Sequence, residues 1–244
     1  MLTKKEQKFI KSLKVKKYRT REKRFLVEGA KNVLELLKSD YEVDMIVGSD
    51  QFLEKSPKLE GIRYEQVKTQ LLDELGTFKS NDAALAVVKM KKPNPIFTDG
   101  VEYIFALDGV GDPGNLGTII RTLDWFGFNQ LVCSDDCAEF YHPKVIASTM
   151  GSFTRVNVVH TDLENFLLNS KMSVFGADMI GRNVFQDPLD EPAIILMGSE
   201  SNGIRDSIQR YVSQSISIPR FGAAESLNVG IATGILAAHL RMER

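Results

Sequence analysis

The chain has 244 residues, 43% of them apolar, which suits one large or two modest domains with a real core and excludes a disordered chain. Two cysteines, Cys133 and Cys137, and three isolated histidines, His142, His160 and His239, make no disulfide framework and no metal-ligand pair, so a soluble, reduced, cytoplasmic protein without a metal is expected. The formal net charge of −1 hides an asymmetry, because residues 1 to 24 hold eleven Lys and Arg against Glu6 and Glu22, which is +9 and leaves −10 for the rest.

The basic start surrounds Phe9, Ile10 and Leu13 at helical spacing. It reads either as a polyanion-binding arm, since each neutralised phosphate releases counterions, or as a solvated helix whose lysines flank an apolar stripe. No apolar region follows it to make a signal peptide, and no run approaches the roughly 20 residues of a membrane span. Residues 24–27 then predict a strand, 28–38 a helix, and 43–47 the next strand. Alternation continues through Phe52-Leu53, Ile62 to Tyr64 and Leu71-Leu72 to the apolar run 83–88, a compact α/β unit. In the stretch 89–95, KMKKPNP, two prolines and three lysines interrupt every periodicity and mark a linker, with the domain boundary near residue 95.

The second half alternates more regularly. Strands are predicted at 103–107, 130–133, 157–159, 172–177, 194–197 and 215–218, and helices at 116–126, 143–150, 163–169 and 204–211, with a closing helix opened by Ser226-Leu227-Asn228. Short apolar strands between helices imply a mostly parallel sheet covered on both faces. Ligands in such sheets bind beyond the carboxyl ends of the strands, so the junctions 107–117, 197–203 and 218–228 are the candidate site.

The first junction, GVGDPG at 109–114, matches G-x-G-x-x-G after a strand, with Asp135 near the end of the next strand. This is the context of a nicotinamide-dependent oxidoreductase, and Asp108 with the same glycines also loosely resembles the first motif of Rossmann-fold methyltransferases. Pro113 inside the turn argues against both, and glycines at positive φ in a tight turn need no ligand. Asn115 and Arg121 follow on the helix, with Arg121 among Ile119, Ile120, Leu123 and Phe126. A single Arg on an apolar helix is costly unless paired, so it meets a carboxylate in the fold or awaits an anionic substrate. In the second junction, glycines at 198 and 203 let the backbone turn sharply, and Glu200 either caps the next helix or pairs with Arg121. The third, IPRFGAAESLN, carries its polar residues where a helix N-terminus leaves backbone groups free.

In order and spacing, PGNLGTIIRTLDWFGF at 113–128, LMGSESNGI at 196–204 and IPRFGAAESLNVGIA at 218–232 resemble the three motifs of the SpoU family of RNA 2′-O-ribose methyltransferases, within the SPOUT superfamily. More weakly, Glu28-Gly29 and the run 85–88 resemble the family's small ribosomal-protein-like substrate-binding domain. The resemblance implies an α/β fold in two parts. Residues 1–95 are an RNA-binding domain, and residues 96–244 a parallel-sheet methyltransferase domain whose C-terminal segment makes a trefoil knot, against ordinary topology rules.

The resemblance further implies S-adenosylmethionine as cofactor, held by backbone and apolar groups at Leu196, Met197, Gly198, Ile218, Pro219 and Leu227. It assigns catalysis to Arg121, with Asn115, Glu200, Ser226 and Asn228 orienting Arg121 and the ribose. Because guanidinium stays protonated, charge stabilisation and substrate positioning are the roles expected of Arg121. Arg220, Gly230, Ser199 and Ser201 depart from the usual motifs, which bears on pocket detail and not on reaction class. The implied partners are structured RNA, 23S ribosomal RNA before transfer RNA, and a second copy of the chain. A knotted RNA-binding protein without transfer is the non-enzyme alternative, and the oxidoreductase the remote one.

Overall fold

Apolar runs of five or six residues, each closed by a glycine or a charge, fold as strands, and the segments between them as short helices. The computed structural model describes all residues except 1, 57, 58, 60, 79–82, 187, 188, 190, 191, 243 and 244. Contacts divide the chain into two units, Met1–Lys92 with Glu139–Thr154, and Pro93–Ala138 with Arg155–Arg244. The division falls inside the Lys- and Pro-rich stretch. The excursion 139–154 into the first unit is a feature that a single boundary near residue 95 does not anticipate.

The first unit comprises α1 (Lys4–Ser12), α2 (Lys16–Glu22), β1 (Arg24–Glu28), α3 (Ala30–Leu36), β2 (Val43–Gly48), α4 (Asp50–Lys55), β3 (Arg63–Gln66), α5 (Thr69–Leu75) and β4 (Ala84–Lys89). Its sheet has the order β1-β4-β2-β3, with β4 antiparallel to both neighbours and β3 parallel to β2. The basic start is no extended arm. A Thr3–Glu6 capping box begins α1, and Leu2, Ile10 and Leu13 are buried with Leu26, Val47, Leu72 and Leu85. Arg19 is buried too, its guanidinium donating to Glu139 and to the carbonyls of Leu13 and Lys14. This satisfies a charge that burial otherwise penalises, and ties in the excursion 139–154. Phe153 and Tyr141 of that excursion pack on Phe25.

The second unit comprises β5 (Tyr103–Asp108), α6 (Pro113–Trp125), β6 (Gln130–Ser134), β7 (Asn157–Thr161), α8 (Leu163–Leu168), β8 (Ser173–Asn183), β9 (Ala193–Gly198), α9 (Asp206–Gln209), β10 (Gln214–Ser217) and α10 (Val229–Met242). The helix α7 (Pro143–Thr149) lies on the excursion. All six strands are parallel in the order β10-β8-β9-β5-β6-β7, so β5 and β9 lie side by side at the centre. Both central strands are buried nearly throughout, as their unbroken apolar runs require. Ile104, Ala106, Val132, Ile194 and Leu196 pack with Leu163, Leu167 and Ile208.

Two elements differ in extent from their sequence pattern. The strand β8 runs on to Asn183 because it pairs β10 in two registers, Gly176 with Ser215 and Arg182 with Ile216, and residues 177–181 arch between them. The helix α9 is only four residues long and starts after Arg205, whose backbone N–H is bonded to Asp108. In α10, Gly230 and Gly234 lie against Thr118 and Thr122 of α6, where a methyl group would sit 3.3 and 3.5 Å from the threonine side chains. The small residues of the closing helix therefore serve packing within the chain.

Candidate active site

The parallel register sets Asp108, the last residue of β5, opposite Gly198, the last of β9. Beyond these ends the chain makes two loops. The first, 109–112, enters α6, whose Asp112 side chain caps the helix by accepting the Asn115 N–H at 2.9 Å, with Pro113 in the first turn. Pro113 thus starts the helix and does not interrupt a turn. A carboxylate already occupies the helix end where a pyrophosphate would bind, and Gly109 takes φ 69° as an ordinary tight turn, so the glycine pattern is no dinucleotide fingerprint.

The second loop, 199–203, folds back on itself through reciprocal bonds, Ser199 N–H to Gly203 O at 3.0 Å and Gly203 N–H to Ser199 O at 2.9 Å. Gly203 has φ 63°, which a side chain disfavours. This turn presents Glu200, whose Oε1 accepts from Asn115 Nδ2, 85 residues earlier. Glu200 therefore neither caps α9 nor has Arg121 as a partner. Asn115 Oδ1 in turn accepts from Asn228 Nδ2 at 3.0 Å. Asn228 does not lie inside the closing helix but caps it, its Oδ1 accepting the N–H of Gly230 at 2.9 Å and of Ile231 at 3.4 Å. One residue from each junction thus joins a continuous chain, Glu200–Asn115–Asn228, which fixes both amide orientations.

The other two sequence candidates stand outside this chain. Arg121 is exposed and not embedded among the apolar residues of α6, and it has no hydrogen-bond or ion-pair partner among the described residues. Ser226 is likewise exposed and unbonded among the described residues. Of the positions expected around a cofactor, Leu196 and Met197 have buried side chains and can offer only backbone, Gly198, Ile218 and Pro219 are half-buried, and Leu227 is half-exposed. From Arg220 to Leu227 no backbone N–H has an acceptor among the described residues. Apolar surface beside free amide donors fits an adenosine and an amino-acid carboxylate.

Sequence reading passed over a second cluster. Asp108 is fully buried and is held by Arg205: Oδ2 accepts the backbone N–H at 2.8 Å, and Oδ1 accepts Nε at 2.7 Å and also Nη2. Arg205 also donates to Asp136 at 3.1 Å, Asp136 accepts from Ser134 Oγ at 2.6 Å, and Ser134 Oγ accepts the Gly109 N–H at 2.9 Å. The Ser134 bond holds the Asp136 carboxyl below its usual range, with Arg205 helping, and Asp108 raises the Arg205 guanidinium above its own. The signal available in the sequence was an acid closing an otherwise apolar strand, which has to be paired. Cys137 lies against Cys133 and Ser134, whose hydrogen bonds lower its thiol to about 7, while burial pushes Cys133 up. A neighbouring cleft of about 360 Å³ is lined by Asp135, Asp136, Asp162 and Glu164, with Arg205 the one cation among the lining residues and already bonded to Asp108 and Asp136, so the cleft is mostly acidic. No group of three or more His, Cys, Asp or Glu among the described residues could hold a metal, and no described helix is long and apolar enough to cross a membrane.

Comparison with known proteins matches residues 102–238 to the SpoU rRNA Methylase family and residues 4–86 to an MRM3-like substrate binding domain. A 23S rRNA (guanosine(2553)-2′-O)-methyltransferase of Bacillus subtilis is 30% identical over 95% of this chain and 94% of its own length. A TrmH-family protein from Porphyromonas gingivalis has a structure that superposes with a TM-score of 0.90 over all of both chains at 32% identity. The AdoMet-bound rRNA methyltransferase from Sinorhizobium meliloti superposes at 0.86, covering 100% of this chain and 96% of its own, at 27% identity.

Proposed function

The chain belongs to the SpoU rRNA methylase family, and from that premise we propose that it methylates a ribose 2′-hydroxyl of structured RNA, with 23S ribosomal RNA as substrate and S-adenosylmethionine as donor. The observation that carries this reading is the Glu200–Asn115–Asn228 chain, which draws the three family motifs together at the carboxyl ends of β5 and β9. The Bacillus relative, matched over nearly its whole length, is named for 23S rRNA, which favours ribosomal over transfer RNA.

Bound S-adenosylmethionine supplies a methyl group on a positively charged sulfur. Backbone at Leu196, Met197, Gly198, Ile218, Pro219 and Leu227 would hold it. The chain's own task is to place a hydroxyl whose pKa lies well above neutrality and to stabilise the oxygen as charge develops. Arg121, with its guanidinium free, holds a phosphate or ribose of the substrate and stabilises that negative charge. Asn115, locked between Glu200 and Asn228, orients the ribose with them, since preset geometry lowers the barrier more than mobile charge does. Ser226 joins them from the loop that closes over the site.

The first unit, with its MRM3-like match, grips the RNA. The C-terminal segment carries the family's trefoil knot, and the active form is a cytoplasmic homodimer. Its contact face is the outer side of α6 and α10, where Trp125, Ile231 and Met242 are 83%, 54% and 79% exposed.

Incubation with labelled S-adenosylmethionine and unmodified ribosomal and transfer RNA, followed by mapping of ribose methylation, tests the reading. Label is expected on one ribose of 23S rRNA, and Arg121→Ala should slow transfer by about a hundredfold, the scale of losing one preorganised charge-stabilising donor. Label on transfer RNA alone would overturn the substrate, and full activity of Arg121→Ala the role of the arginine.

A further inference from the structure

Glu200 lies on the loop that leaves β9 and Asn115 in the first turn of α6, which the loop from β5 enters, and their hydrogen bond exists only if the two segments hold a fixed relation. Below that bond, a closed ring of side chains also ties the ends of β5 and β9 to each other. Asp108, at the foot of the first loop, receives three hydrogen bonds from Arg205, at the foot of the second. Arg205 then reaches Asp136 beyond β6, and Asp136 returns through Ser134 to the backbone of Gly109, the next residue after Asp108. The carboxylate of Asp108 is fully buried and takes both the guanidinium fork and the backbone N–H of one residue, so Arg205 is held in angle as well as in distance. Glu200 lies within the turn that Ser199 and Gly203 close on itself, and only Ile204 separates that turn from Arg205, so the segment has little freedom of its own. A shift of Arg205 therefore moves Glu200 as a body.

We propose that Asp108 and Arg205 are positioning residues for methyl transfer: their charge-assisted clamp sets the Glu200 turn at the distance from α6 at which Glu200 holds Asn115. This rests on the reading of Glu200 and Asn115 as part of the active site. Neither residue touches the substrate in this account, and neither is part of the cofactor surface at 196–198, 218–219 and 227. The clamp acts through Glu200, since the backbone pairing of Asp108 with Gly198 does not depend on the side chains of the clamp.

Two variants separate this role from plain stabilisation. Arg205→Lys keeps a positive charge opposite the buried carboxylate but loses the fork, and Asp108→Asn/Arg205→Gln removes the buried charge together with its partner, so at least one should fold. Each is made in the wild-type and in the Glu200→Ala background, and the rate of a single turnover is measured at saturating RNA and S-adenosylmethionine. In the wild-type background a fall of about tenfold is expected, with RNA affinity within about twofold, the order of effect of a small misplacement near the site. Amide exchange over residues 199–205 should quicken in the protein alone, without RNA or cofactor. In the Glu200→Ala background the same changes should cost nothing further, because two residues acting through one contact are not additive.

An equal, additive loss in both backgrounds would overturn the clamp as a positioning device, as would an unchanged rate or unchanged exchange in a folded variant. Full activity of Glu200→Ala itself would overturn the site reading on which the proposal rests, and is distinguished by that single variant.

Discussion

Asn228 shows how one side chain divides between holding the fold and building the site. Its oxygen caps α10 through Gly230 and Ile231, and its nitrogen donates to Asn115. Aspartate is as good a cap as asparagine and adds a negative charge where the helix dipole favours one. Asn228→Asp should therefore keep or slightly raise the melting temperature. It also replaces the donor to Asn115 with an acceptor facing another oxygen, so the single-turnover rate should fall about 10- to 100-fold, or about 1.4–2.8 kcal/mol in barrier. Asn228→Ala loses both bonds and should cost about 1 kcal/mol of stability as well. A melting curve beside the rate separates the two jobs, and equal stability losses in both variants would refute the division. Arg121 makes the opposite point. The sequence pattern places it on an apolar helix and so predicts a burial problem, yet the structure puts it on the outer face, four residues before the exposed Trp125, where its charge is solvated at no cost.

At the scale of elements, α6 and α10 have two distinct faces. Their inner contact is made by glycines against threonines, so the Gly- and Ala-rich composition of α10 is explained without a second chain. What composition does not explain is that α6 exposes Trp125 and α10 exposes Ile231 and Met242, and these are the residues assigned to the dimer. Trp125→Lys should convert a species sedimenting at twice the chain mass into one at the chain mass that is still folded, because the residue is exposed in the single chain, with a melting temperature lowered only by the loss of the subunit contact. A wild-type protein sedimenting at the chain mass would refute the assignment. The strands and helices themselves were legible because burial on both faces leaves unbroken apolar runs such as 103–107 and 194–197, and the three junctions because glycine and proline end those runs. The order β10-β8-β9-β5-β6-β7 was not legible, since nothing in an apolar run says which neighbour it takes. Nor were the partners of Asn115, which come from 85 and 113 residues away. Arg205 was missed for a related reason: beside Ile204 and Asp206 it looks like an ordinary surface charge, and only the buried Asp108 gives it meaning.

For the whole molecule, the charge asymmetry outlasts the correction to its shape. The basic start forms α1 and α2 and contributes Leu2, Ile10 and Leu13 to a core and Arg19 to a buried ion pair, so deleting it would unfold the first unit and say nothing about RNA. Its positive charge is nevertheless on the surface. Lys11 pairs with Glu74, and Lys14 is partly buried, but Lys4, Lys5, Lys8, Lys16 and Lys17 are exposed and have no ion-pair partner among the described residues. If those five meet phosphates, each one neutralised releases counterions, and the dependence of binding on salt counts them. Replacing the five with glutamine should leave stability within about 0.5 kcal/mol, as exposed substitutions do. It should weaken RNA binding most at low salt and flatten the slope of log affinity against log salt by about 0.7–0.9 for each phosphate that is no longer neutralised. Once RNA is saturating, the methylation rate should be unchanged, because the lysines gather substrate and take no part in the transfer. An unaltered slope would show that the basic helices serve the fold alone and that the RNA is held elsewhere.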